Sequence, residues 1–466
     1  NNIYGFFVQD DWKFRPNLTL NLGLRYEYYS PVKENQNRLS ALVLGQGART
    51  LLDAKLQIVD TLTDPDRNNF APRIGFAYSP AIFNDKLVVR GGYGTFYNRI
   101  PNVLLTNTRL NPPFFARRGA CCFSGGGVQY RLGSSNSPFS YAPNTALIQG
   151  IDPASGSVLG GNAEVWGADR NVKNASVYKY SFGLQYQLPY QIVVGAEYEG
   201  SQSRNLGRLI NLNFVYTPRF SSSPTTGGFA PIFYLQTDVN ASYNGMNLRA
   251  ERRFAQGFQM ALNYRFAKSL DQLSFEGPGF VTNQTYPLDQ RQEKGPSDFD
   301  VKHSYVLESI YELPFFRNDK NSWKYKLLGG FEINGIVTSH SGYPFTVFQG
   351  AGLRTPSGEF FGPIRPTGYN GRQPIASTNS NFLSPGGIFP GGGAQYFSGT
   401  IRTDSMGRPN FELNPPGVGR NAFRGPKYFN VDMSIAKRFG LSDIGIGGEG
   451  ANLELRLNAF NVFNKL

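Results

Sequence analysis

The sequence predicts an all-β fold, a transmembrane antiparallel up-and-down β-barrel with long loops at one end. Side-chain alternation is the first sign of it. In residues 18–29, LTLNLGLRYEYY, one face carries Leu18, Leu20, Leu22, Leu24, Tyr26 and Tyr28. The other carries Thr19, Asn21, Gly23, Arg25 and Glu27. Successive strand side chains point to opposite sides, so such a segment separates oil from water. Its length suits a tilted strand crossing a bilayer. The second sign is spacing, because short and long connections alternate along the chain.

About twelve strands follow this pattern in order. They are read at residues 3–14, 18–30, 72–79, 86–98, 176–188, 191–203, 243–254, 257–270, 300–313, 326–338, 428–440 and 451–463. Ile192, Val194, Ala196 and Tyr198 oppose Val193, Gly195, Glu197 and Glu199. Met246, Leu248 and Ala250 oppose Asn247, Arg249, Glu251 and Arg253. Phe258, Met260, Leu262, Tyr264 and Phe266 oppose Gln259, Ala261, Asn263 and Arg265. Leu453, Leu455, Leu457 and Ala459 oppose Asn452, Glu454, Arg456 and Asn458. Short connections fall at 15–17, 80–85, 188–190, 255–257, 314–324 and 440–450. Long ones fall at 31–70, 99–175, 204–242, 271–299 and 339–427. The long ones are rich in Gly, Pro, Ser and Asn, which reads as irregular, solvent-facing chain. A soluble sandwich rarely keeps such alternation over so many hairpins.

Composition narrows the class. Hydrophobic residues make up 40% of the 466, and no apolar run is long enough for a spanning helix. A barrel hides its membrane signal because half of each strand faces water. The 38 Phe and 26 Tyr suit membrane interfaces, where an apolar body and a polar tip are both satisfied. Net charge is +13, but the basic residues form no dense tract and no recognition motif accompanies them, so no nucleic acid partner is expected. Phosphorylated surface lipid, such as outer-membrane lipid and lipopolysaccharide, or an anionic solute fits the balance better than nucleic acid, although a generally solvated surface is the plainer reading.

No catalytic signature is present: no nucleophile elbow, no H-E-x-x-H and no phosphate-binding P-loop. The chain is read as a non-enzyme with no cofactor and no metal site. His303 lies in a strand and reads as barrel wall. Asp64, Asp66 and Asn68 imitate the start of a calcium loop, but Asn69 and Gly75 stand where its glycine and glutamate belong. A plain loop turn is the better reading. Gly91, Gly92 and Gly94 lie inside a strand with no following helix, so close packing in the wall is preferred to phosphate binding. Arg109, Arg117 and Arg118, with Phe114 and Phe115 between them, form a basic and aromatic cluster in a long loop that could grip an anionic ligand, although a solvated loop is the preferred reading. Arg402, Arg408, Arg420 and Arg424 carry the same two readings, with a solvent-facing loop position preferred. Cys121 and Cys122 are adjacent, and a vicinal disulfide, free thiols or a bond to a partner all stay open.

Four stretches carry a resemblance: YGFFVQDDWK at 4–13 with LTLNLGLRYE at 18–27, NFAPRIGFAY at 69–78, GRNAFRGP at 419–426 and LELRLNAFNVFN at 453–464. Together they resemble the barrel of TonB-dependent outer-membrane receptors, in particular the Oar-like group. The resemblance runs end to end, with the long loops divergent. It implies a barrel of about 22 strands, an N-terminal plug and a short segment that couples uptake to the TonB complex. The plug, the leading strands and a terminal aromatic strand are not found in this sequence. Residues 1–466 are therefore expected to be the C-terminal portion of one such barrel domain, roughly strands 10 to 21. Long loops would face the exterior and short turns the periplasm.

The expected mechanism is ligand capture by the loops, then passage through a polar lumen. Lumen candidates are Arg25, Glu27, Glu197, Arg249, Glu251, Arg253, Glu454 and Arg456, whose opposite charges can pair across neighbouring strands. A passive porin, or a surface adhesin or secretion factor, would use the same wall. Siderophore, glycan, peptide and exported protein all remain open as ligand, as do transport direction and oligomeric state.

Overall fold

The computed structural model describes residues 2–45, 53–114, 150–154, 156, 158–159, 163–212, 229–274, 284, 289–317, 322–354, 360–371, 396–403, 405, 407, 414, 416–440 and 452–464. Alternating sequence becomes one curved wall. Its strands are β1 (Ile3–Arg15), β2 (Leu18–Tyr29), β3 (Phe70–Tyr78), β4 (Leu87–Asn98), β5 (Ala175–Leu188) and β6 (Ile192–Asn211). Then come β7 (Phe229–Ala255), β8 (Phe258–Asp271), β9 (His303–Glu312), β10 (Phe331–His340), β11 (Tyr428–Gly440) and β12 (Asn452–Ala459). Each pairs antiparallel with its sequence neighbour, so spatial order equals chain order. All the strands read from the alternation are present. Among the described residues, β1 and β12 each pair on one side only, and the sheet does not close on itself.

Register fixes the two faces. Leu22 pairs with Asp10 and Ile74, and Leu248 with Ala196 and Tyr264, on the outer face. Asn21 pairs with Asp11 and Gly75, and Arg249 with Gly195 and Asn263, on the inner face. The outer face leaves Leu184, Phe182, Leu248, Leu455 and Leu457 exposed, as an apolar surface awaiting an apolar solvent does. Gly91 belongs to that face for a packing reason. A Cβ there would stand 2.7 Å from Cε1 of Phe76, whose ring lies across the gap.

One end of the wall is made of tight turns and the other of long loops. The turn 256–257 carries Gln256 at φ 55 and Gly257 at φ 81, the left-handed conformation that a two-residue hairpin demands. Residues 441–451 and much of 99–162 lie outside the described residues. A short helix, Trp323–Leu328, occupies the turn between β9 and β10, where the sequence predicted strand from residue 326. Ser322 caps it, Tyr325 N–H donating to Ser322 Oγ at 3.2 Å, and Gly329 with Gly330 ends it.

The loop end differs more from expectation. β6 and β7 run well past a bilayer's width, at 20 and 27 residues. Their projecting ends support short strands at Ser40–Val43, Lys55–Ile58 and Ala163–Ala168. Ala163–Ala168 pairs parallel with the start of β7, and Leu42 pairs with Gly167. Leu42, Leu56, Val165, Ile210, Ile232 and Tyr234 are buried together there. Leu39, Leu62, Leu104, Trp166, Leu209 and Leu235 form a second cluster beside them. Parts of the long loops expected to be irregular thus build a folded cap, because apolar positions far apart in sequence meet on two overlong strands.

Candidate functional site

The inner face of the wall is the candidate site. Alternation sends every second side chain inward, and those positions are polar or glycine over most of the strands. Between β4 and β9 the wall holds a concavity of about 490 Å³ lined by Arg90, Glu197, Asn247, Arg249, Asn263 and Arg265. A neighbouring hollow of about 500 Å³ is lined by Arg73, Phe96, Lys179, Glu197, Glu199 and Tyr243 among others.

Hydrogen bonds tie this surface together. Glu199 accepts from Asn247 Nδ2 at 3.0 Å and from the Tyr243 hydroxyl at 3.2 Å. Arg265 Nε donates to Asn247 Oδ1 at 3.0 Å, and Arg90 donates to Gln185 Oε1 at 2.7 Å. The guanidinium of Arg73 lies 4.5 Å from the Phe96 ring centre and Lys179 Nζ lies 5.6 Å from it. Arg73, Arg90, Lys179 and Arg265 therefore engage amides and a ring, which leaves their charge available to an anion.

Several lumen candidates from the sequence form ion pairs. Arg25 meets Glu27 at 2.8 Å, Arg249 meets Glu251 at 3.1 Å and Arg456 meets Glu454 at 2.7 Å. These run along one strand between residues two apart, whereas pairing was expected across strands. Of these lumen candidates only Glu454 has a cross-strand cation among the described residues, Arg438 of β11 at 2.7 Å. Arg253 is exposed near the turn end. Sequence reasoning passed over Arg73, Arg90, Lys179 and Arg265 as site residues. The same two-residue period finds them, since each is in phase with an inner-face neighbour.

At the loop end, Arg109 is exposed in the short turn Asn107–Leu110, and Phe114 is exposed nearby. Phe115, Arg117, Arg118, Cys121 and Cys122 lie outside the described residues. Arg420 and Arg424 take a different position from the solvent-facing one expected. Arg420 Nε donates to the Glu293 carbonyl oxygen at 2.9 Å, and Nη2 donates to the Asp271 carbonyl oxygen at 2.7 Å and contacts its carboxylate. Arg424 holds the Asp300 carboxylate and donates to the Asp300 carbonyl oxygen at 3.0 Å. Arg365 and Glu293, both fully buried, pair at 2.9 Å beside them. These arginines fasten the loop before β11 to the loop after β8.

Asp64 and Asp66 do not converge on a cation site. Arg170 holds Asp64 at 2.7 Å, and Asp66 accepts from the Asn174 backbone N–H at 2.8 Å. Among the described residues no group of three or more His, Cys, Asp or Glu side chains is placed to hold a metal. His303 lies on the outer face, its Nδ1 2.8 Å from the Tyr264 hydroxyl. The Asp289 carboxyl, in the loop after β8, is drawn down to about 2 because the side chains of Arg291 and Gln292 donate to it.

The chain has likenesses among known proteins. The chain is 25% identical over 341 residues to the TonB-dependent transporter Oar of Myxococcus xanthus, a match covering 71% of this chain and 28% of that protein. The outer membrane transporter YddB from Escherichia coli aligns over 99% of this chain and 41% of its own, with 11% identity and a TM-score of 0.48. The siderophore receptor PiuA from Acinetobacter baumannii aligns over 99% of this chain and 39% of its own, with 8% identity and a TM-score of 0.43. The family model of an outer membrane beta barrel domain matches residues 1–466, so apolar outer face, polar inner face and alternating connections have one explanation: the chain belongs to the outer membrane β-barrel family.

Proposed function

We propose that these strands form part of the barrel of a TonB-dependent outer-membrane receptor, with ligand captured by the long loops and passed along the polar inner face. The single observation that carries the reading is the inner face itself. A continuous polar wall bearing Arg73, Arg90, Lys179 and Arg265 is backed by an apolar face suited to lipid. The similarity to the Oar transporter supports it. The family relationship also supports coupling to the TonB complex through an N-terminal plug, with residues 1–466 as the C-terminal portion of one larger barrel domain. The unpaired edges of β1 and β12 favour further strands, because open sheet edges are not tolerated in hydrocarbon. Lipopolysaccharide and outer-membrane lipid would surround the outer face. The ligand would be anionic, drawn by the four inner-face cations.

Full-length protein reconstituted in liposomes tests this reading. A plugged receptor passes no small sugars on its own and binds the periplasmic domain of TonB. Steady sugar flux with no TonB binding would instead make it a passive porin.

A further inference from the structure

The helix Trp323–Leu328 leaves its apolar side chains uncovered. Trp323 is 67% exposed, Leu327 63% and Leu328 50%. Trp323 and Leu327 are four residues apart, one above the other on a helix, and Leu328 adjoins them. The other ring of the helix, Tyr325, turns the other way and packs where a side chain on Gly329 would collide. Phe315 and Phe316, in the same turn, are exposed as well. A turn that only had to reverse the chain between β9 and β10 would not need this surface.

The position of the helix follows from Lys437. In β11 this residue pairs with Phe331 on one side and Leu455 on the other, all on the outer face. Its ammonium lies 4.5 Å from the Phe331 ring centre and 5.0 Å from that of Phe439. From there it donates to the Leu327 carbonyl oxygen at 2.7 Å. The end of the helix is thus tied to the lipid side of the wall, not beneath the lumen. On the receptor reading proposed above, the turn end of the wall faces the periplasm, which puts the helix where the periplasmic leaflet begins.

We propose that Trp323–Leu328 is a lipid-docking element that binds anionic phospholipid of the periplasmic leaflet. Trp323, Leu327 and Leu328 enter the acyl boundary, where a tryptophan ring and leucine side chains are both favoured. Lys324 and Lys326 are exposed on either side of the Trp323 and Leu327 pair, and the helix carries no acidic residue. Basic side chains beside an inserted apolar stripe select negative headgroups. Through Lys437 the helix is joined to the outer face of β11, the face that the receptor reading gives to lipid.

The test uses full-length protein in nanodiscs, with every tryptophan except Trp323 replaced by phenylalanine. Bromine placed near the headgroup end of the acyl chains should quench Trp323 more than bromine near the terminal methyl. Brominated phosphatidylglycerol, mixed at equal fraction with unlabelled lipid, should quench at least about twofold more than brominated phosphatidylcholine. Lys324→Gln with Lys326→Gln should remove that preference and leave the depth unchanged. A spin label at Leu327→Cys, in a background with Cys121 and Cys122 replaced by serine and the native tryptophans kept, provides a second reading. It should be more accessible to oxygen than to a water-soluble nickel chelate. A Trp323 that no brominated lipid quenches, or a label reached mainly by the chelate, would mean that the stripe faces a periplasmic protein or water and would overturn the proposal. Equal quenching by the two brominated lipids would overturn the headgroup preference.

Discussion

Arg420 grips Asp271 across 149 residues of chain. Both are buried, Arg420 at 8% and Asp271 at 4% exposure, and the arginine also reaches Ser274 and the carbonyl oxygens of Glu293 and Gly295. Asp271 is the last residue of β8, so the contact fixes the long loop before β11 to the rim of the wall. Removing the arginine strands a buried carboxylate. Arg420→Ala should cost about 3–5 kcal/mol locally. The readout is limited proteolysis on intact cells, where cleavage within residues 341–427 should accelerate. Arg420→Lys should not restore protection, because one ammonium cannot reach all these acceptors. Unchanged cleavage would show that the loop is held by other contacts.

Neighbouring residues of β5 separate the two faces of the wall. Phe182 points outward and pairs with Gly91 and Tyr198, whereas Ser181 points inward between Gly92 and Glu199. Phe182→Arg puts a charge into hydrocarbon and should destabilise the full-length protein by about 2–4 kcal/mol if the site lies near the midplane. Ser181→Arg meets water and a carboxylate and should cost less than about 1 kcal/mol. Urea unfolding in detergent micelles measures both, and equal losses would mean that the phase of β5 is inverted.

The cap should fail separately from the barrel. Leu235 is fully buried in the cap beside Trp166 and Leu209. Leu235→Ala should cost the cap about 2–5 kcal/mol. Faster hydrogen exchange in residues 39–43 and 163–168 should follow, while β8 to β11 keep their protection. Uniform loosening of the whole wall would contradict an independently packed cap.

Sidedness joins the fold to the proposed ligand capture. An epitope tag after Gln36, exposed at the loop end, should be reached by antibody on intact cells. A tag after Asn17, in the tight turn between β1 and β2, should be reached only once the outer membrane is broken. The reverse pattern would invert the topology and remove the loops from contact with external solutes.

The amino-acid sequence alone determined the wall. Strand existence, phase and the alternation of turns and loops were all legible, because lipid on one side and water on the other impose a local period of two. The inner-face positions of Arg25, Arg249 and Glu454 followed from that same period. Tertiary structure decided what depends on partners distant in sequence. Arg420 reads as a free loop cation until Asp271 stands beside it, and Leu42 reads as loop until Val165 and Ile232 pack against it. The projecting ends of β6 and β7 were hidden for a related reason. Above the membrane a strand is no longer held between oil and water, so its side chains lose the strict alternation by which the sequence announces it. The helix Trp323–Leu328 escaped notice because one capped turn is too short to show a helical period, and its place on the lipid side was set by Lys437, more than a hundred residues away in β11.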